Sequence, residues 1–533
     1  MEIAVIHLFF ADLLIKQSGR NAIETSTLNH SPVAKMLETA ASRFQQREAL
    51  VCMTSNRRFT FADLNDRANR LANLMTAEGY QKGDVVAMLC SNRIELVDWY
   101  FMLTKTGIIG IPINYRLSAD DITGLINSMG ATGLLFESRF NDMIDQVRAA
   151  SPELRQLFSF GDDLRNYAID YEQRLAQADD SAPESVVNAG DPFYFNLTSG
   201  TTGLPKAYVL NHQNNLVATQ SMADGHDLTE QDTALTVFPA FGRVGFGWLS
   251  SSIFAGARNV LLNFSGLEAL KVIQNEAVTI TNLVPTMAAV MMAESDLDTY
   301  DLTSLRGIVF AGAPLPAPLR ERTRKLLCPH LYEYYGMQET GIITLSKPAE
   351  KLTKPDSVGR QIEMAEVRVV DDQGGDLPVG EVGQIIARSP SATDGYYQNP
   401  EKSALTFRDG WVHTGDLGRF DAERFLYIAG RDKDMIISGG QNIFSLEVEE
   451  AILGLDGIGE CAVIGLADEL WGERVTAIVV ANSEISEEQV VAHCKSQLAG
   501  FKAPKQVIFQ AEPLPRTPTG KVTKFVLVER YEE

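Results

Sequence analysis

Short apolar runs alternate with amphipathic helical stretches through residues 59–315, and this alternation restricts the fold more than any other feature. Residues 59–79 read as an amphipathic helix entered through a strand end, because Phe61, Leu64, Ala68, Leu71 and Met75 recur at spacings of three and four. GDVVAML (83–89) reads as a buried strand, Glu95–Thr106 as a second helix and GIIGIPIN as another strand. The pattern continues through ATGLLF, NVLLN, VTITNLVP and LRGIVFAGAPL. Strands separated by helices pair in parallel, with the crossover helices covering both faces of the sheet. The predicted class is therefore α/β.

A chain of 533 residues is too long for one core. From about residue 355 to 430 the texture turns β-rich: EVRVVDDQGGDLPVGEVGQIIARS carries short strands and turn signals at Asp371–Gly375 and Pro378–Gly380. A last unit, 431–533, shows a helix around Leu446–Leu453, strands CAVIGL and RVTAIVV, a helix around Glu487–Leu498 and a final strand near Lys505–Phe509. The expected division is a large N-terminal domain, 1–430, and a small α+β domain, 431–533. Residues 1–30 form an extension whose IAVIHLFFADLLI stretch lacks a basic leader, contains His7 and Asp12 and is too short to span a bilayer. It reads as a buried or partner-facing helix, with weak membrane contact or an early start codon as alternatives.

The formal net charge of -22 argues against nucleic-acid or anionic-membrane partners, though not against a local basic pocket. Five scattered cysteines without a C-x-x-C suggest neither disulfides nor zinc, and fit a cytoplasmic setting.

The stretch LTSGTTGLPK (197–206) has the make-up of a phosphate-holding loop. It is not a Walker A loop: Gly200 and Gly203 are three apart, Pro205 precedes the lysine and Ala207 follows it. The physical logic survives. Gly200 and Gly203 let the backbone approach an anion, Thr198, Ser199, Thr201 and Thr202 add hydroxyls, and Lys206 adds a charge. The bland alternative is a polar turn between strands. LYEYYGMQETG (331–341), expected to follow a strand, offers tyrosines, Gly336 and the carboxylate Glu339. WVHTGDLG (411–418) is expected to hold Asp416 in a tight glycine-flanked turn, where an acid could accept from both ribose hydroxyls. GRDKDMIISGGQNIFSLEVEEAI (430–452) reads as a charged turn, a glycine pair and a helix start, and PRTPTGKVTK (515–524) presents Lys521. Taken singly, each could be a turn cap, a solvated acid or a surface lysine.

Taken together and in this order, with AGAPL, GYYQNPEKS and VIGLADELWGERVTAIVV, the motifs resemble the adenylate-forming (AMP-dependent) synthetase superfamily over roughly residues 31–533, in particular its acyl-CoA synthetase branch. The resemblance implies a large N-terminal domain and a small mobile C-terminal lid. It also implies two half-reactions: a carboxylate attacks the α-phosphate of ATP to give acyl-AMP and pyrophosphate, and coenzyme A then displaces AMP to give the thioester. By the same resemblance the opening loop with Lys206 holds the β- and γ-phosphates. Glu339 with Thr201 binds Mg²⁺, and Lys521 bridges the carboxylate and the α-phosphate. Gly312, Ala313 and Pro314 face Tyr335 across the adenine, and Glu333 faces its exocyclic amine. Asp416 takes the ribose, helped by Arg431. Lys433 is the hinge, Gly439 and Gly440 line the pantetheine tunnel, and Lys502 supports the thioester-forming state. The partners implied are a small carboxylic acid and coenzyme A, and a homodimer is compatible with the pattern. Other readings are an enzyme that loads a carrier protein, a luciferase-like oxidative enzyme, and a non-catalytic nucleotide-binding regulator.

Two departures stand out. Gln338 occupies a position where most relatives carry threonine, so an amide replaces a hydroxyl as donor to the AMP phosphate. In FPAFGRVGFGW (238–248), Gly242 stands where relatives often carry histidine. Gly242, Gly245 and Gly247 are expected to open an apolar acyl pocket walled by Phe241, Phe246, Trp248 and Met337, for a fatty, alicyclic or aromatic acid. Arg243 reads as solvent-facing or backbone-bonded, or else as a partner for a distal carboxylate or the CoA phosphates.

Overall fold

A computed structural model of the protein describes residues 33–184, 186–198, 206–516 and 522–532. Two large sheets make up the body. A seven-stranded sheet runs in the order Ile169–Asp170, Gln156–Phe160, Gly133–Glu137, Val85–Leu89, Ile109–Pro112, β1 (Pro192–Thr198) and β2 (Lys206–Asn211). Its neighbours are parallel until the antiparallel pair β1/β2 at the margin. A nine-stranded sheet is parallel from Glu48–Cys52 to β3 (Leu331–Met337). Its margins are antiparallel: Arg57–Thr60 at one edge, β4 (Gly341–Ser346) and Arg360–Gln361 at the other. The alternation therefore produced an α/β body, with the hairpins confined to sheet edges.

Helices Phe61–Ala77, Ile94–Thr106 and α1 (Arg243–Ala255) fill the space between the sheets and share one core with both. Helix Phe61–Ala77 starts where the sequence placed it, because Thr60 and Asp63 close a capping box. All thirteen residues of Ile94–Thr106 are buried. A helix enclosed on every side must be apolar all round, and its charged members are paired: Asp98 with Arg67 at 2.7 Å, Glu95 with Arg93 at 3.0 Å and Lys105 with Glu38 at 3.3 Å.

A five-stranded antiparallel sheet follows, containing β5 (Trp411–Phe420) and β6 (Leu426–Arg431). After the short turn Asp432–Asp434, a second five-stranded sheet begins with the hairpin β7 (Met435–Ser438) and β8 (Gln441–Phe444), followed by helix α2 (Ser445–Leu453). The long antiparallel pair Ile458–Asp468 and Gly472–Ala481 forms its centre. A helix at Lys524–Tyr531, which the sequence pattern did not suggest, packs Leu527 against it.

Two local expectations need correction. Asp416 lies within a ten-residue strand and not in a turn. Gly415, at φ +72°, allows a bulge where β5 carries more residues than its partner between His413 and Leu417, so the strand continues through the glycine. The glycine pair is likewise not followed directly by a helix: Gly439 and Gly440, at φ +59° and +76°, form the two-residue turn of the β7/β8 hairpin. Positive φ at both positions is what such a turn needs to match strand twist.

Candidate active site

The adenosine-side residues gather at the C-terminal end of β3, against β5 and β6. Tyr335 is on β3, and its hydroxyl donates to Asp416 Oδ2 at 2.6 Å. Burial, with that carboxylate next, pushes the Tyr335 phenol well above its usual range, so it stays a donor. Arg431 is the cross-strand partner of Asp416, and its Nε lies 3.0 Å from Oδ1. A carboxylate offers about four lone-pair positions. With one bond on each oxygen, Asp416 keeps acceptor capacity for a pair of vicinal hydroxyls. Gly312, at φ +83°, turns the chain after strand Gly307–Phe310, beside β3, and Ala313 and Pro314 follow it. Gly336 is sterically required, because a Cβ there would stand 2.0 Å from the carbonyl of Gly341.

Glu333 has a partner that the motifs did not reveal. Its Oε2 is 2.5 Å from Nζ of Lys351, a lysine with a fully buried side chain that also donates to Pro355 O and to Ser357 O. Burial pushes the Glu333 carboxyl up while Lys351 pulls it down. Half of this carboxylate is thus committed to an internal ion pair.

The turn after β3 is held from three directions. Glu339 is buried, and its Oε1 accepts from Tyr396 Oη at 2.7 Å. Its carbonyl accepts from Thr393 N at 2.9 Å. Ser391 Oγ donates to Thr340 O at 2.6 Å. Arg243, at the start of α1 and 7% exposed, donates from Nη1 to Gln338 O and from Nη2 to Ser391 O, each at 2.5 Å. Of the readings open for Arg243, the backbone-bonded one is found, and the side chain is buried and not solvent-facing. The segment around Ser391–Tyr396 was visible in the sequence only as the GYYQNPEKS likeness; its grip on Glu339 required the fold.

The acyl-side segment differs from expectation. Phe246 is 1% exposed and stacks on Tyr100 at 3.9 Å between ring centroids, and Trp248 is fully buried with its Nε1 donating to Leu235 O. Both belong to the core and wall no open pocket. Gly245 serves close packing, since a Cβ would stand 2.4 Å from Pro239 O. The physical reason is that residues 243–255 form a helix wedged between two sheets, so its inward faces are consumed by packing. Phe241 remains half-buried, edge-on to Tyr115, with Gly242 as the residue preceding the helix and Met337 at the end of β3.

Other predicted residues are not brought to this wall. Lys433, Gly439 and Gly440 are exposed, and Lys502 pairs with Glu447 at 2.6 Å within the last unit. Ser199, Gly200, Thr201, Thr202, Gly203 and Lys521 lie outside the described residues, as do the side chains of Thr198 and Lys206. The backbones of Thr198 and Lys206 are paired across β1/β2, so residues 199–205 connect an antiparallel pair.

A parallel α/β body with an acid able to accept paired hydroxyls, a second buried carboxylate and an amide beside it defines a nucleotide-handling enzyme. The chain belongs to the AMP-binding enzyme family: residues 37–397 match the model of the AMP-binding enzyme and residues 447–521 that of the AMP-binding enzyme C-terminal domain. It is 35% identical over 502 residues to the long-chain-fatty-acid–CoA ligase FadD13 of Mycobacterium tuberculosis, covering 93% of this chain and 98% of that one. It is 30% identical over 518 residues to the fatty acid–[acyl-carrier-protein] ligase ScoC of Streptomyces coeruleorubidus, covering 95% and 98%. Among solved structures, the anthranilate CoA ligase AuaEII in complex with anthranoyl-AMP superposes with a TM-score of 0.88 at 28% identity, covering 94% of this chain and 97% of that one.

Proposed function

We propose that the protein is an ATP-dependent acyl-CoA ligase that activates an apolar carboxylic acid as its acyl-adenylate and passes the acyl group to coenzyme A. The observation that carries this reading is the convergence of Tyr335, Asp416 and Arg431 with Gln338 and Glu339 at the end of β3. A carboxylate cannot expel oxide, so its oxygen must first become part of a phosphate leaving group. The protein's task is then mainly to position groups and neutralise charge.

In this reading Asp416 accepts from the ribose hydroxyls while Arg431 and Tyr335 fix its orientation. Gly312, Ala313, Pro314 and Tyr335 border the adenine, and Glu333, anchored by Lys351, faces the exocyclic amine. Thr198–Gly203 and Lys206 hold the β- and γ-phosphates, and Lys521 sits between carboxylate and α-phosphate. Mg²⁺ fits the donor set: it takes one or two carboxylates plus substrate phosphates, and Glu339 has one oxygen bonded to Tyr396 and another to offer. Bound there with Thr201, the ion would neutralise the polyphosphate. No group of three or more His, Cys, Asp or Glu side chains that could cage an ion occurs among the described residues, in keeping with a metal that arrives with nucleotide.

The two units are proposed to be 1–430 and 431–533, hinged at Lys433. Gly439, Gly440 and Lys502 would serve the thioester step. The acid is proposed to be fatty, alicyclic or aromatic, seated near Phe241, Gly242 and Met337. Both terminal nitrogens of Arg243 are occupied by carbonyls, so it offers no open fork to a second carboxylate. A cytoplasmic setting is supported by five free cysteines. No helix among the described residues is long and apolar enough to cross a membrane.

The test is acid-dependent pyrophosphate release with ATP and Mg²⁺ across short, medium, long, aromatic and dicarboxylic acids, with and without coenzyme A. Strong turnover with an apolar monoacid and only with coenzyme A is expected. Turnover indifferent to coenzyme A would hand the acceptor role to a carrier protein, and no release with any acid would leave a nucleotide-binding protein without this activity.

A further inference from the structure

The two strands that flank the glycine-rich connection carry a buried polar pair. Asn196 on β1 and Tyr208 on β2 are cross-strand partners, so their side chains share one face of the sheet. They are 2% and 0% exposed. A buried amide and phenol are costly unless bonded, and here the bonds run to one acceptor on the other sheet's β3 turn. Asn196 Nδ2 is 3.0 Å and Tyr208 Oη 3.2 Å from Oε1 of Gln338.

The hydrogen-bond roles in this cluster can be assigned by counting donors. The backbone N–H of Leu197 lies 3.0 Å from Asn196 Oδ1, so that atom must accept and Nδ2 must face the cluster as donor. Asn196 Nδ2 also lies 2.5 Å from Tyr208 Oη, which accepts from it and keeps its own proton for Gln338. Burial holds the Tyr208 phenol well above its usual range, so that proton stays in place. Two donors therefore converge on the side-chain carbonyl of Gln338. Rotating its amide by half a turn would set N–H groups against N–H and O–H groups. The Gln338 amide thus has one allowed orientation, with the oxygen inward and the NH₂ group outward. Arg243 fixes the backbone carbonyl of the same residue.

We infer that Asn196 and Tyr208 are positioning residues that lock the Gln338 amide so that its NH₂ group donates to the phosphoryl oxygens of the adenylate. This rests on the function proposed above. It also explains how a glutamine serves where a threonine hydroxyl would rotate freely to suit its partner: an amide has a wrong face, and the sheet pair removes it.

The test is a double-mutant cycle read as AMP affinity by calorimetry, with pyrophosphate release measured alongside. Asn196→Asp keeps the shape and the acceptor for Leu197 but turns the inward donor into an acceptor, so the Gln338 amide should flip. AMP binding is expected to weaken about 10-fold, and about 3-fold for Tyr208→Phe, which removes one hydroxyl and serves should Asn196→Asp fail to fold. In a Gln338→Thr background, where a hydroxyl needs no orienting, both costs should shrink to within about 2-fold. A merely structural role would give the same cost in both backgrounds, and that result overturns the inference. If it occurs while the wild type still releases pyrophosphate, the proposed function stands without this feature. A wild type that binds no AMP overturns both.

Discussion

The wall at the end of β3 and the face around the β7/β8 hairpin are built on opposite principles. On the first, functional side chains are buried and bonded at more than one atom: Asp416 to Tyr335 and Arg431, Glu333 to Lys351, Gln338 to Asn196, Tyr208 and Arg243. On the second, Lys433, Gly439, Gly440, Leu470 and Trp471 are exposed, and Leu470 reaches 79%. Groups needed in both half-reactions gain from being pre-set on sheets, since catalytic electrostatics rewards donors that need no reorganisation. Groups that act only in the second half-reaction can stand on a solvent-facing turn and be delivered by movement of the unit that carries them.

The largest effect that would sharpen this contrast is loss of Lys521, from the last unit. Lys521→Ala should cost about 3–4 kcal/mol in adenylation, yet still convert supplied acyl-AMP to thioester. Equal losses in both half-reactions, measured by single turnover, would contradict a delivered lysine.

A second expectation concerns the body's buried interior. His212 and His226 are both buried and pushed down to about 4 by desolvation. Unfolded, each would take up a proton near 6.5, so between pH 6.5 and 4 the unfolded chain holds more protons than the folded one. Stability present above 6.5 should fall as pH drops, by about 3 kcal/mol per histidine at the lower end. His212 stacks on Phe193, 4.7 Å between ring centroids, so His212→Phe should fold and reduce the acid slope of urea unfolding by one proton. An unchanged slope would remove His212 from this account.

Third, Arg243→Met should lower adenylation by about 2 kcal/mol for every acid alike, because its two charge-assisted bonds hold the Gln338 turn. Comparing kcat/KM across acids checks it, and a loss confined to dicarboxylic acids would restore direct charge recognition. The smallest effect belongs to the hairpin. Gly440→Ala at φ +76° should strain the turn by about 1–2 kcal/mol and slow only thioester formation; a matching drop in pyrophosphate release would place the glycine in the first half-reaction as well.

The sequence by itself determined the α/β body, the change of texture near residue 355 and the family, because hydrophobic period and short ordered motifs are local properties. It also found Asp416, Glu339 and Tyr335 as a set. It misplaced Asp416 in a turn, since a bulge glycine and a turn glycine look alike until the partner strand is known. It assigned Phe246 and Trp248 to a pocket, since an apolar side chain carries no mark of whether it faces a cavity or a core. Lys351, Tyr396, Asn196 and Tyr208 were invisible as site residues. Each acts through an atom of a residue 18 to 142 positions away, and only the packing of the sheets decides which distant acceptor a buried donor meets. Tertiary structure alone therefore settled the orientation of Gln338 and the role of Arg243, where a buried polar group must find its partner or forfeit the free energy of hydration.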